Sequence, residues 1–153
     1  MPAAGTVIGG QSTAASVTDT NVEIIGATTR LLRIQRVRVS QYTHKTSEQY
    51  LLQGQKMTTT GTGTAYTPQP KEPNNAPAFT AKVADSVEPT YTASTIFLQA
   101  AVNSLTGRDI YSPPGTETII APSASAGFGL AVVTPAGTTT ATYTIETDVE
   151  EIG

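Results

Sequence analysis

The stretch TRLLRIQRVRVSQ, residues 29–41, decides how the chain folds. It sets Arg30, Arg33, Arg36 and Arg38 within an apolar alternation, four of the nine Lys and Arg residues present. Leu32 and Ile34 share one parity, Val37 and Val39 the other. Side chains alternate faces along a strand, so one buried face collects all four only if an extra residue intervenes near Gln35 and Arg36. A β-bulge supplies such a residue, as does a strand passing from one sheet to the next. With Leu32 and Ile34 inward, Arg33 points out; beyond the switch, Arg36 and Arg38 point out together. The arginines are therefore expected on an outer face. There they either stand as solvated charges that discourage edge-to-edge aggregation, or meet an acidic partner surface, because guanidinium pairs with carboxylate in bidentate fashion.

The composition around this strand is that of an all-β protein. Threonine occurs 28 times, with 13 Gly and 10 Pro, and only 14% of residues are charged. Threonine is stiff at χ1 and suits a pleated surface, while Gly and Pro punctuate turns. The expected fold is an antiparallel β-sandwich or a small barrel-like body with an extended N-terminal arm. A chain of 153 residues fits one domain and buries about two-thirds of its unfolded surface. Without cysteine, neither a disulfide framework nor a thiolate metal site can form. A formal charge of −3 argues against a dedicated nucleic-acid binder, which must neutralise many phosphates. No run approaches the roughly 18 to 20 apolar residues that span a bilayer, and the start lacks a basic, then apolar, signal pattern. No membrane partner is expected.

Residues 1–28 open on small and polar side chains, including Gly5, Gly9 and Gly10, and read as an arm, flexible or ordered by a partner. A short strand is expected within it at Val22–Ile25. The body then runs over 29–153. The segment EQYLLQGQKMTT, residues 48–59, reads as a strand forming a long hairpin with the arginine strand. Four prolines between Tyr66 and Pro77 predict an extended excursion over the surface. Residues 86–104 carry the largest apolar cluster; β-branched Thr95 and Ile96 favour a strand over an amphipathic helix. The last third alternates strand and turn signals at close intervals, as a meander or sandwich does.

Chemistry is sparse. His44, the single histidine, lies in a polar loop and has neither a positioned nucleophile nor further metal ligands in view. Asp85 with Glu88, and Asp109 with Glu117, are the carboxylate pairs a glycosidase would need, but a chain with twelve acids offers such pairs freely. The absence of tryptophan removes the usual sugar platform. No catalytic, cofactor-binding or metal residue is assigned, and no enzymatic activity is expected. The acidic end ETDVEEIG, residues 146–153, reads either as a solvated terminus or as the complement of a neighbouring subunit's arginine strand.

The succession RIQRVRVSQ, SEQYLLQGQKMTTTGTGTAYTP, DSVEPTYTAS and PPGTETIIAPSASAGFGLAVVT resembles, in motif order and composition, small virion structural proteins of tailed bacteriophages. The likeness covers roughly residues 30–146. It implies a non-enzymatic capsid decoration or cement protein, made in the host cytoplasm and held on the virion surface. Its implied partners are the major capsid protein and itself, as a homotrimer. Arg30, Arg33, Arg36 and Arg38 become the candidate protein contacts. The alternatives are a tail or neck protein, and a carbohydrate-binding β-sandwich whose partner is a surface glycan.

Overall fold

The computed structural model describes residues 2–13, 18–41, 43, 46–121, 127–137 and 140–153. His44 lies outside the described residues. The strands are β1 (Ala4–Thr13), β2 (Thr18–Ile25), β3 (Leu31–Gln41), β4 (Gln49–Thr59), β5 (Thr62–Tyr66) and β6 (Gln69–Pro70). They are followed by β7 (Thr80–Val87), β8 (Thr90–Asn103), β9 (Arg108–Tyr111), β10 (Thr118–Ile120), β11 (Gly127–Val133) and β12 (Ala141–Ile152). All pairings are antiparallel. They build two six-stranded sheets packed as a sandwich, with no helix among the described residues. Sheet A runs β10-β3-β12-β1-β6, with β9 also on β3; sheet B runs β5-β7-β2-β11-β4-β8.

The arginine strand is bulged where its parity breaks. Ile34 pairs with Val149 and Arg36 with Asp148, so Gln35 is the extra residue on β3. Leu32, Ile34, Val37 and Val39 are all buried as a result. They meet Val22 and Ile24 of β2, Leu52 of β4, Phe128 and Leu130 of β11, and Ile145 and Val149 of β12 in a single inter-sheet core. At roughly 25 cal/mol per Å² of apolar area, each such side chain contributes about 1.5–3 kcal/mol. Strand β11, GFGLAVV, lies between β2 and β4 and is buried on both faces over Gly127–Val132. Residues 86–104 hold the 14-residue strand β8 rather than a helix.

Two expectations need correction. The described residues among 1–28 form two strands of the body and not an arm. Strand β1 pairs with β12 along its whole length, from Ala4 opposite Glu150 to Thr13 opposite Ala141, and β2 sits inside sheet B between β7 and β11. The small residues serve close packing: a Cβ at Gly9 would lie 2.1 Å from the Asn21 carbonyl oxygen. There the two sheets pinch together, and Asn21 Nδ2 donates to the Tyr143 carbonyl across the gap at 2.9 Å. The hairpin between β3 and β4 also does not form, since β4 belongs to sheet B and pairs with β11 and β8. Residues 42–48 are long enough to bridge the roughly 10 Å between stacked sheets. Strand β12 takes the place beside β3 that the hairpin partner would have held.

The proline-rich residues 67–77 connect the two sheets. Leaving β5 at the edge of sheet B, the chain adds β6 to the edge of sheet A opposite Gly5 and Thr6, then returns through Phe79 to β7. Proline suits β6 because an edge strand has no second ladder to feed.

Candidate interaction surface

Across the outer face of sheet A, the alternation of β3 and β12 sets basic residues beside acidic ones. Arg38 is paired in register with Glu146, Arg36 with Asp148 and Arg33 with Glu150. Arg36 is the hub: Nε and Nη2 bind both oxygens of Asp109 at 2.9 and 2.7 Å, Nη1 reaches Glu146 at 2.9 Å, and Asp148 lies at 3.9 Å. The guanidinium also stands 5.3 Å from the centre of the Tyr111 ring. This hydrogen bonding raises the Arg36 pKa further, and it holds the Asp109 carboxyl below the usual carboxylate range. Asp148 is completed by Thr6 Oγ1 at 2.6 Å and Lys71 Nζ at 2.7 Å, which ties β1 and the proline-rich segment to the same network.

The remaining pairs lie farther along β12. Arg33 reaches Glu150 at 3.2 Å, and Gln35, the bulge residue, donates to the same Glu150 oxygen at 3.0 Å. Arg30 binds Glu151 at 3.0 Å. The acidic end of the chain is therefore the partner of its own arginine strand. The expected pairing with a neighbour's arginines is replaced, for Arg30, Arg33 and Arg36, by pairing within the chain, because antiparallel β12 delivers the acids to β3. A pair whose arginine stays in contact with water, such as Arg33 with Glu150, contributes about 0.2–1 kcal/mol.

Arg38 differs from the other three. It is exposed and forms no ion pair among the described residues. With Ser40, Thr106, Gly107 and Arg108 it lines a shallow groove where the β8–β9 turn meets β3. Asp109 stands opposite Arg38 on β9; Tyr111, opposite Arg36, is 66% exposed, and Ile119 on β10, opposite Arg33, is 48% exposed. Arg and Tyr are the residue types that dominate protein contact surfaces. The sequence pointed to Arg38; it gave no signal for Tyr111, which reaches the outer face beside Arg36 only through the pairing of β9 with β3, while Arg108 pairs with inward-facing Val39 and donates to the Ala101 carbonyl of β8 at 3.1 Å.

Asp109 is engaged by Arg36, and Glu117 accepts a hydrogen bond from the Gly115 amide at 2.7 Å. Asp85 and Glu88 join a third acid, Glu23, on sheet B. Among the described residues no group of three or more His, Asp or Glu is arranged to hold a metal ion. No family model, curated protein or solved structure matches the chain.

Proposed function

We propose that the chain is a structural virion protein that binds the outer surface of a tailed-phage capsid and stabilises it, acting as a homotrimer on the major capsid protein. The reading rests on the motif order described above and on one structural observation, the exposed Arg38 and Tyr111 side chains on the outer face of sheet A where β9 pairs with β3. A rigid sandwich presents this patch without further ordering, which keeps the entropic cost of docking low. Repetition over three copies multiplies modest contacts into tight retention. Arg30, Arg33 and Arg36 support the patch through their internal acids, and Arg38 carries the contact.

The test is retention on purified particles. Arg38→Ser with Tyr111→Ala should strip the protein from capsids at moderate salt while leaving its thermal midpoint within a few degrees of the parent. Equal occupancy of parent and variant would remove the patch from the account. A copy number that fits a ring of six or more would move the protein to the tail or neck. A second reading, a carbohydrate-binding sandwich on the virion, draws on the exposed Tyr111 ring, which offers a stacking surface. Binding on a glycan array, lost with Tyr111→Ala, would favour it.

A further inference from the structure

Glu23 alternates with Val22 and Ile24, so its side chain leaves the inter-sheet core, yet it is fully buried. Its roof is formed by two turns. The Gly61 amide of the β4–β5 turn donates to Glu23 Oε1. In the β7–β8 turn, Glu88 accepts hydrogen bonds from the backbone and hydroxyl of Thr20, and the Thr20 hydroxyl meets the Tyr91 hydroxyl of β8 at 2.6 Å. Asp85 joins them through a bulge in β7. Thr62 pairs with Val87 and Thr64 with Val83, leaving the residues between out of register, and Ala84 takes a φ of +54°. A non-glycine residue adopts that left-handed conformation at a cost. Here it accompanies an acid that is 3% exposed and packed so tightly that a Cβ on Gly63 would lie 2.0 Å from Asp85 Oδ1.

The hydrogen-bond account of this cluster does not close with every acid ionised. Both Asp85 oxygens and Glu23 Oε2 are buried without a donor. The nearest cation, Lys82 Nζ, is 4.0 Å from Glu23 Oε2 and is spent on the Gly61 carbonyl at 2.8 Å and the Thr60 hydroxyl at 3.1 Å. Gln11 of β1 bonds the Asp85 backbone carbonyl, not its carboxyl. Buried polar atoms left unpaired are costly, and two adjacent carboxyls with no other donor are satisfied by one proton between them.

We propose that Glu23 and Asp85 share one proton, and that this carboxyl–carboxylate pair is a pH-sensitive latch holding the β4–β5 and β7–β8 turns down on sheet B. The charged and titratable groups around it are Asp19 on β2, Lys82 on β7, Glu88 after β7 and Tyr91 on β8; the β4–β5 turn contributes the Gly61 amide. Burial first, then the Glu23 charge, pushes the Asp85 carboxyl up to about 8. The sign follows. The folded state keeps a proton that the unfolded chain releases near pH 4, so the latch is strongest below that pH and is lost as pH rises through about 8.

The experiment compares denaturant unfolding of the parent and Asp85→Asn from pH 4 to pH 9. Asparagine supplies the missing donor without a titrating proton. The parent's folding constant should fall relative to the variant's by up to about tenfold per pH unit between roughly pH 4 and 8. Carbon-13 NMR of the parent's Asp85 carboxyl gives an independent reading that does not depend on the variant folding: a protonated shift at pH 6, titrating above pH 7, is expected. Parallel pH profiles, or an Asp85 carboxyl already ionised at pH 6, would overturn the proposal. So would a rise in the parent's midpoint on adding calcium at pH 7, since a cation would then occupy the proton's place.

Discussion

Replacing Glu151 with alanine tests whether the acidic end of the chain is structural. Glu151 is 1% exposed although it lies two residues from the end of the sequence. It stands opposite Leu32 on β3 and shares that residue's inward face. One carboxylate oxygen accepts the Phe79 backbone N–H at 2.6 Å, the other the Arg30 guanidinium at 3.0 Å. Phe79 is itself 2% exposed, so this single acid anchors the return of the proline-rich segment into the core. Alanine would leave a buried N–H without an acceptor, which costs about 1–3 kcal/mol. Loss of the Arg30 pair adds at most about 1 kcal/mol, because Arg30 is 39% exposed and water screens it. The expected loss is therefore about 1–4 kcal/mol, read from the urea midpoint at constant slope. Glu151→Gln keeps an oxygen for Phe79 and should lose only about 1 kcal/mol. An alanine variant within about 0.5 kcal/mol of the parent would refute the anchoring role, and equal losses in both variants would assign the effect to charge instead.

Other perturbations probe other parts. Deleting Gln35 removes the bulge and brings Leu32, Ile34, Val37 and Val39 into one parity, so the chain should still fold cooperatively by circular dichroism, losing the Gln35 bond to Glu150; a chain that fails to fold would show that the bulge itself is required. Gly9→Ala forces a Cβ against the Asn21 backbone at the sheet pinch, so a loss of more than about 2 kcal/mol is expected, in the range of overpacked cores. The Arg36 bonds hold the Asp109 pKa below its unfolded value, so they stabilise the fold above the usual carboxylate range. That contribution disappears as pH falls below about 4, and Arg36→Gln should flatten the acid limb of the stability profile.

Local pattern carried a good deal of this structure. The parity break at Gln35 was legible because a buried face tolerates no slip, and the structure resolves it with a one-residue bulge. Pairing was not legible, since hydrogen-bond partners are chosen by the whole chain. Strands β3 and β4 are neighbours in sequence and lie in different sheets, while β1 and β12 are at opposite ends and pair along their full length. Glycines near the start read as flexibility because composition does not distinguish a loose chain from one pressed against another backbone. The complementarity of the arginine strand and the acidic end was visible; that β12 brings them together within one chain was not. In the acid cluster, Asp85 and Glu88 stood out by proximity in sequence, and Glu23 joined them only through the pairing of β2 with β7.

The proposed docking surface is the outer face of sheet A around Arg38 and Tyr111. The direct measurement is the ratio of this protein to major capsid protein on gradient-purified particles, for the parent and for Arg38→Ser with Tyr111→Ala. A fixed ratio of a whole number of trimers per capsid for the parent, and loss of the variant to the supernatant, is the predicted result. A parent absent from the particles, or a variant retained at the parental ratio, would contradict it.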